Sequence, residues 1–335
     1  MTSLNHRAGR THHPSRPYDS EPAPLPYAHG WYMLAPSSEI APGTVTTRRL
    51  MGEDVVVYRT RSGRIRVTRP HCPHLGAHLG QGCVVGEDIV CAFHSFAFTP
   101  DGSLSRPAPG YEALPRHERL TLLPVQEVDG AIVVWSGSQP PTWELPSVLT
   151  PAHCAPRYTA FDLSTHPQEI CENTVDVRHL APLHHFTNPS LRDPIADKHV
   201  FSHWLRAGRR YPPFGTRMTD VRITLQGLGF FNVNVRIPGL GLTLDAMFYP
   251  TPVEPWRVRM YLASSVAFTP PTGKFPPRML LPLSRAANLL NHRALATDAA
   301  RDFFIWDSKR YTEPPSLAKG DGPIGTFRKW AKQFY

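Results

Sequence analysis

Residues 71 to 96 read HCPHLGAHLGQGCVVGEDIVCAFHSF. Cys72 and His74 stand two apart, Cys91 and His94 three apart, and sixteen residues separate the two pairs. Two ligand pairs on two loops can aim four side chains at one point, so this stretch points to a metal before anything else in the chain is read. Zinc accepts any tetrahedral mixture of Cys and His, but zinc modules usually pair Cys with Cys and His with His. One Cys and one His per loop suits a [2Fe-2S] cluster with unlike irons, one held by two thiolates and the other by two imidazoles. Gly76, Gly80 and Gly82 fit the same picture, since glycine allows tight turns and lets backbone N–H groups approach the sulfurs.

At 335 residues the chain is long enough for two domains with real cores. No window of about twenty residues stays apolar, so no transmembrane segment is expected. The start, MTSLNHRAGRTHHPSRPYDSEPAPLP, has charges but no apolar run of the signal-peptide kind. The expectation is a cytoplasmic protein with a disordered tail over residues 1–28. Five cysteines do not make a secreted disulfide framework, and Cys83, Cys154 and Cys171 are expected to be plain buried thiols. The net charge is +9, with basic clusters at LRAGRRYPPFGTR and FRKWAKQFY. No nucleic-acid recognition motif accompanies them, and an acidic protein partner would be steered equally well.

Short strands separated by turns run from residue 29 to about 137, with a hairpin at Asp129-Gly130, and predict an antiparallel β domain carrying the metal loops at one end. SQPPTWELPS reads as a linker, and residues 138–335 form the second domain. There a helical segment is expected near 167–185. From Val221 to Ile237 apolar residues fall on the odd positions, a period of two that means a sheet with one buried face, bent at Gly227 and Gly229. A second such strand spans Trp256 to Phe268, and a helix follows from about Ala286 to Trp306. The fold class is α+β, with antiparallel sheets and helices segregated along the sequence. Leu228 and Phe230 interrupt a largely polar strand face and are candidates for a cavity wall or for core.

A second polar cluster lies in EICENTVDVRHLAPLHHF, with Glu172, Asp176, His179 and His184. On an ideal helix His184 sits about 140° around from His179, so one metal could hold both only if the helix deforms. Pro182 supplies a reason for deformation. Geometry alone does not choose between His184 and His185. A face of two His and one carboxylate leaves three metal positions free, and ATDAARDFFIWDSKRY offers Asp298, Asp302 and Asp307 for the carboxylate. Leu295, Asp298, Asp302 and Ile305 share one helical stripe, which sets a carboxylate among apolar neighbours where it needs a cation.

The spacing acid-x3-Asp-x2-His-x4-His resembles the signature of Rieske non-haem iron oxygenases. The resemblance extends through GWYMLA, CPHLGAHLG, CAFHSF, ENTVD, DFFIW and GTFRKWAKQFY, and the Asp302-x-x-Ile305-Trp306 run is similar to that of 3-ketosteroid 9α-hydroxylases and cholesterol 7-desaturases. It implies a Rieske cluster on Cys72, His74, Cys91 and His94, and mononuclear Fe(II) on His179, His184 and Asp302 in a helix-grip-like second domain. It further implies a homotrimer in which Asp176 bridges His179 and the His94 of a neighbouring subunit. Electrons from NAD(P)H would arrive through a ferredoxin, a ferredoxin reductase or both, and O2 would be used to hydroxylate or desaturate a small hydrophobic, polycyclic, steroid-like substrate. Natural-product tailoring, a non-enzymatic electron carrier and a zinc-bound interaction module are the rival readings. The pattern departs from the family at Ala92, where Pro is frequent, and at Phe96, where Trp is usual. Ala77 and Phe93 replace the extra cysteines of respiratory Rieske proteins, so no clamp disulfide is expected.

Overall fold

A computed structural model describes residues 23–111, 118–210, 215–269 and 276–335. The first 22 residues of the expected tail therefore lie outside the described residues. Among those described, the first half contains β1 (Gly30–Pro36), β2 (Val45–Leu50), β3 (Glu53–Arg59), β4 (Ile65–Thr68), β5 (Cys83–Val85), β6 (Asp88–Val90), β7 (Ala97–Phe98), β8 (Leu104–Arg106), β9 (Leu122–Leu123), β10 (Val125–Val128) and β11 (Ala131–Ser136). They pair in three antiparallel sheets, ordered β1-β11-β10, β2-β3-β4-β9 and β5-β6-β7-β8. The β10–β11 turn is made by Asp129 and Gly130, both at positive φ (51° and 79°), the conformation whose twist matches that of the strands it joins.

The second half adds β12 (Arg157–Leu163), α1 (Pro167–Glu172), α2 (Leu180–His184), β13 (Thr187–Asp197), β14 (Val200–Arg210), β15 (Thr216–Gln226), β16 (Phe231–Ile237), β17 (Leu242–Glu254), β18 (Arg257–Phe268), α3 (Pro277–Trp306) and α4 (Ile324–Ala331). Its strands form one antiparallel sheet of order β12-β18-β17-β16-β15-β14-β13. The chain is thus α+β, as its patterning predicts.

Three expectations need correction. The helical segment near 167–185 is two short helices separated by residues 173–179, so the break precedes Pro182, which fits inside the first turn of α2 where its missing N–H costs nothing. The Val221–Ile237 pattern is a hairpin rather than one bent strand. Gly227, at φ +65°, turns the chain, and Val221 pairs with Val235 and Ile223 with Val233, so the apolar face survives the reversal. The last long helix begins at Pro277, earlier than Ala286, with Pro282 accommodated in its early turns.

The helix α3 lies across β18 and β12. Ser264 Oγ donates to Asn288 Oδ1 (2.7 Å), Asn288 Nδ2 donates to the Ser264 carbonyl (2.8 Å), and His292 meets Ser264 Oγ at 2.9 Å and Thr159 Oγ1 at 2.8 Å. These paired groups fix the helix in rotation and register.

The two halves share a core in which Trp31, Met33 and Trp135 pack with Phe230, Met247 and Tyr249. The β15–β16 turn reaches the first half so closely that a Cβ on Gly229 would lie 2.0 Å from the Trp31 carbonyl oxygen. The linker is stitched down as well: Trp31 Nε1 donates to the Trp143 carbonyl at 2.8 Å, and Trp143 stacks on His199. The basic tail FRKWAKQFY is largely an anchor rather than a charged surface. Phe327, Trp330 and Phe334 are buried, and Arg328 holds Glu172 through two hydrogen bonds of 2.7 and 2.9 Å.

Candidate metal centres and cavity

The two ligand loops of the first half are built alike. Cys72 N–H donates to the Ala77 carbonyl and Gly76 N–H to the Cys72 carbonyl; Cys91 N–H donates to the Phe96 carbonyl and Ser95 N–H to the Cys91 carbonyl. The fifth residue of each loop, Gly76 or Ser95, has positive φ (75° and 66°). The two backbone turns are thus alike at each Cys, with the His at the third position of one loop and the fourth of the other. Cys72 and Cys91 are buried, His74 and His94 are half-buried, and the two imidazole rings lie 4.7 Å apart between centroids. Burial pushes the Cys72 thiol up to about 11, against the pull of a backbone hydrogen bond, so a thiolate there needs a cation. A buried thiol pair beneath an outward imidazole pair suits a cluster whose two irons differ in ligation. Phe96, where Trp is usual, is fully buried with its ring 4.7 Å from that of His74.

All five cysteines are free. Cys83 corrects the expectation of a buried thiol. It is exposed, because Val84, not Cys83, is the inward residue of the short strand β5.

The second cluster is assembled by α1, α2 and α3. His166 Nδ1 accepts from Gln168 N–H (3.1 Å) and Pro167 occupies the first helical position, which starts α1; burial lowers His166 to about 4 and keeps it the neutral acceptor. The irregular segment 173–179 is then held from outside. Arg178 Nε donates to the Gly320 carbonyl (3.0 Å), and Gly322 approaches the Val175 carbonyl so closely that a Cβ would sit 2.2 Å from it. His179 caps α2 and His184 ends it, bringing the two rings to 5.3 Å. His185 follows in the left-handed conformation (φ 58°) and is exposed, whereas His184 is buried.

Ligand atoms of His179, His184 and Asp302 all lie within 4.8 Å of one another. Asp302 Oδ1 is 3.2 Å from His184 Nε2 and 4.0 Å from His179 Nε2. Arg301 does not neutralise Asp302; it turns to Asp298 (3.7 Å) and to the Leu183 carbonyl (2.9 Å). Asp302 is thus a buried carboxylate facing two imidazole nitrogens, a donor set that calls for a cation of the iron type. The far ring nitrogens are addressed too. His179 Nδ1 faces Asp176 Oδ2 at 3.6 Å, and His184 Nδ1 faces Asp298 Oδ2 at 3.5 Å, the arrangement by which outer carboxylates orient metal-binding imidazoles. Burial opposes charge on His184, but hydrogen bonds to Asp298 and Asp302 prevail and raise it to about 9. Asp176 and Asp298 are held low by the histidines they face, against the effect of their own burial. Asp307 plays no part here; its carboxylate accepts from Ser164 N–H.

This triad forms part of the wall of a cavity of about 350 Å³, within the roughly 300–1,000 Å³ range of small-molecule sites. The inward face of the sheet supplies Leu205, Val221, Ile223, Val233, Val235 and Phe248. Leu228 and Phe230 are not among the lining residues. Both are buried in core, Leu228 with the α4 side chains and Phe230 against Tyr249, because the residues between β15 and β16 turn toward the first half. Sequence reasoning missed Asn173, whose Nδ2 lies 3.2 Å from His179 Nε2, and Arg209, which lines the cavity and reaches Asp298 at 3.8 Å. The Asn in ENTVD was a visible signal for the first; nothing in the sequence marked the second.

Residues 135–335 match the profile of the 3-ketosteroid 9α-hydroxylase C-terminal domain, and residues 30–118 match the Rieske [2Fe-2S] domain. The chain is a Rieske non-haem iron oxygenase. Among its relatives is the cholesterol 7-desaturase nvd of Bombyx mori, 31% identical over 93% of this chain and 70% of that protein. Another is the 3-ketosteroid-9-alpha-monooxygenase oxygenase component of Rhodococcus rhodochrous, 25% identical over 93% of this chain and 85% of that one. The fold is shared with solved structures of low identity. Pseudomonas putida CBB5 NdmA, solved as a QL mutant with caffeine, superposes with a TM-score of 0.69 at 16% identity, covering 91% of this chain and 89% of that one. Dicamba monooxygenase bound to dicamba gives 0.65 at 16% identity, covering 91% and 96%. Like other oxygenase components, the oxygenase depends on electron-transfer partners. No helix among the described residues is long and apolar enough to cross a membrane.

Proposed function

We propose that this oxygenase uses O2 and electrons relayed from NAD(P)H to hydroxylate or desaturate a rigid, hydrophobic, polycyclic substrate of the steroid type. The observation that carries the reading is the convergence of His179, His184 and Asp302 on the wall of a largely apolar cavity. Its relatives' names, cholesterol desaturase and ketosteroid monooxygenase, point to the same substrate class.

In this reading Cys72 and Cys91 hold one iron of the cluster, His74 and His94 hold the other, and His179, His184 and Asp302 hold the mononuclear iron. The domains divide at residues 29–137 and 138–335. When bound, the cluster supplies electrons singly and the mononuclear iron activates O2. The protein's own part is positional. Asp298 orients His184, Asp176 orients His179, and the aliphatic sheet face keeps water from the reacting C–H bond. Asp176 keeps about a third of its side-chain surface exposed and His94 is half-buried beside the exposed Phe93. That exposure supports a homotrimer in which Asp176 meets the His94 of a neighbouring subunit. The reducing cytoplasm is the compartment in which the three remaining cysteines, Cys83, Cys154 and Cys171, persist as free thiols.

Anaerobic reconstitution followed by iron and acid-labile sulfide analysis, then oxygen-uptake assays with a surrogate ferredoxin and reductase over a panel of ketosteroids and sterols, tests this. About three irons and two sulfides per chain with steroid-dependent uptake are expected. A protein without sulfide, or one whose oxygen uptake ignores every steroid, overturns it.

A further inference from the structure

The cavity wall contributed by α3 runs through Asn291, Leu295, Asp298, Ala299, Asp302 and Trp306, a single stripe at helical spacing. Asn291 stands out in it. One turn back, Asn288 has both its amide atoms paired, and the adjacent His292 has both ring nitrogens paired, all with β12 and β18. Asn291 Nδ2, by contrast, is buried without a hydrogen-bond partner, and among the described residues no group bonds to either end of that amide. A buried N–H left unpaired is unfavourable for the folded protein, so a half-buried side chain of this kind facing a cavity suits a ligand that completes it.

We infer that Asn291 is a binding residue for the substrate, pairing its amide with an oxygen function, a ketone or a hydroxyl, on an otherwise apolar skeleton. A carboxamide serves both, since rotation about its last torsion presents either N–H or C=O. Placement adds a second element. Asn291 and Asp302 are eleven residues apart on one helix, an axial rise of about 16 Å. The oxygen that Asn291 holds therefore lies at the end of the skeleton remote from the carbon presented to the metal triad. This makes Asn291 a determinant of which C–H bond is presented, and it requires an elongated substrate rather than a single ring. The inference rests on reading this cavity as the substrate site.

The test is binding, measured by calorimetry on the full reconstituted protein with three probes: 5α-androstane, 5α-androstan-3-one and 5α-androstan-17-one. The wild type should bind at least one ketone about tenfold more tightly than the hydrocarbon. Asn291→Leu, nearly the same size, should erase that preference while leaving hydrocarbon affinity within about twofold and raising Tm, because an unpaired amide has been removed. Asn291→Asp should lose ketone preference as well, having no N–H to give. If the leucine variant keeps the preference, Asn291 does not hold the oxygen. If its Tm falls and all three probes weaken together, Asn291 is structural and the inference fails. If the wild type binds none of the probes, the reading of the cavity as a steroid site fails, and this inference falls with it.

Discussion

The two metal centres of this oxygenase are built in opposite ways. The cluster site is local. Two loops close together in sequence repeat one hydrogen-bonding pattern around Cys72 and Cys91, and each contributes one thiol and one imidazole. The proposed mononuclear site is assembled at long range: His179 and His184 come from an irregular segment and a short helix, Asp302 from the far end of α3, and the segment between is clamped by Arg178 and the residues near Gly320. A local site depends on turn chemistry. A long-range site depends on how the elements pack, and so inherits every weakness of the fold.

The largest effects are expected from removing one proposed ligand at each centre. His179→Ala should lower iron from about three to about two per chain, keep the cluster's visible absorbance and abolish turnover. Cys72→Ser should do the reverse, losing colour and sulfide while mononuclear iron and substrate binding stay. Retention of full iron in the His179 variant would remove that residue from the ligand set. Asp176→Asn comes next in size. Both metals should stay, and turnover should fall by about 10- to 100-fold, the usual cost of losing an outer carboxylate. Unchanged turnover would show that Asp176 neither orients His179 nor bridges subunits.

The same contrast decides what could be read beforehand. All four proposed cluster ligands lie in one contiguous stretch whose spacing is itself the signal, and Asp129-Gly130 announces its hairpin in the same way. The odd-position apolar pattern from Val221 to Ile237 disclosed a buried face, since a hairpin with Val221 opposite Val235 preserves parity. Parity could not disclose that Leu228 and Phe230, in the turn, leave the face, Leu228 for the core beside α4 and Phe230 for the core between the two halves. Spacing on an ideal helix likewise misjudged 167–185, because the break is imposed by distant residues, Arg178 to Gly320 and Gly322 against Val175. His184 and His185 are adjacent and chemically identical, and only the left-handed turn at His185 separates a buried ring from an exposed one. Arg209 lies about ninety residues from Asp298, a contact that no local pattern encodes.

Long-range assembly also predicts where stability matters most. Arg328 and Glu172, with side chains only 9% and 8% exposed, join α4 to the end of α1 just before the irregular segment. Arg328→Ala strands the Glu172 carboxylate in the interior and should destabilise the protein by about 3 kcal/mol, read as a lower urea midpoint. Mononuclear iron should be lost at denaturant concentrations where the cluster's absorbance is still intact. Simultaneous loss of both would mean that the two centres share one unfolding unit, and the contrast between local and long-range construction would not extend to stability.

The smallest effect tests the local site on its own terms. Gly76 and Ser95 hold equivalent places in the two ligand loops, both left-handed, and a Cβ added to Gly76 meets nothing within 4 Å. Left-handed backbone costs an L-residue about 1–2 kcal/mol, while glycine's freedom in the unfolded chain costs about 0.5–1 kcal/mol. Ser95→Gly should therefore stabilise the protein by roughly 0.5 kcal/mol and Gly76→Ser should destabilise it by a similar amount, with the double variant close to wild type. Thermal unfolding of the four proteins measures this, and cluster absorbance during the melt separates backbone from side-chain effects. If Ser95→Gly instead sheds the cluster early, the serine side chain itself supports the site, and the two loops are alike in backbone but not in function.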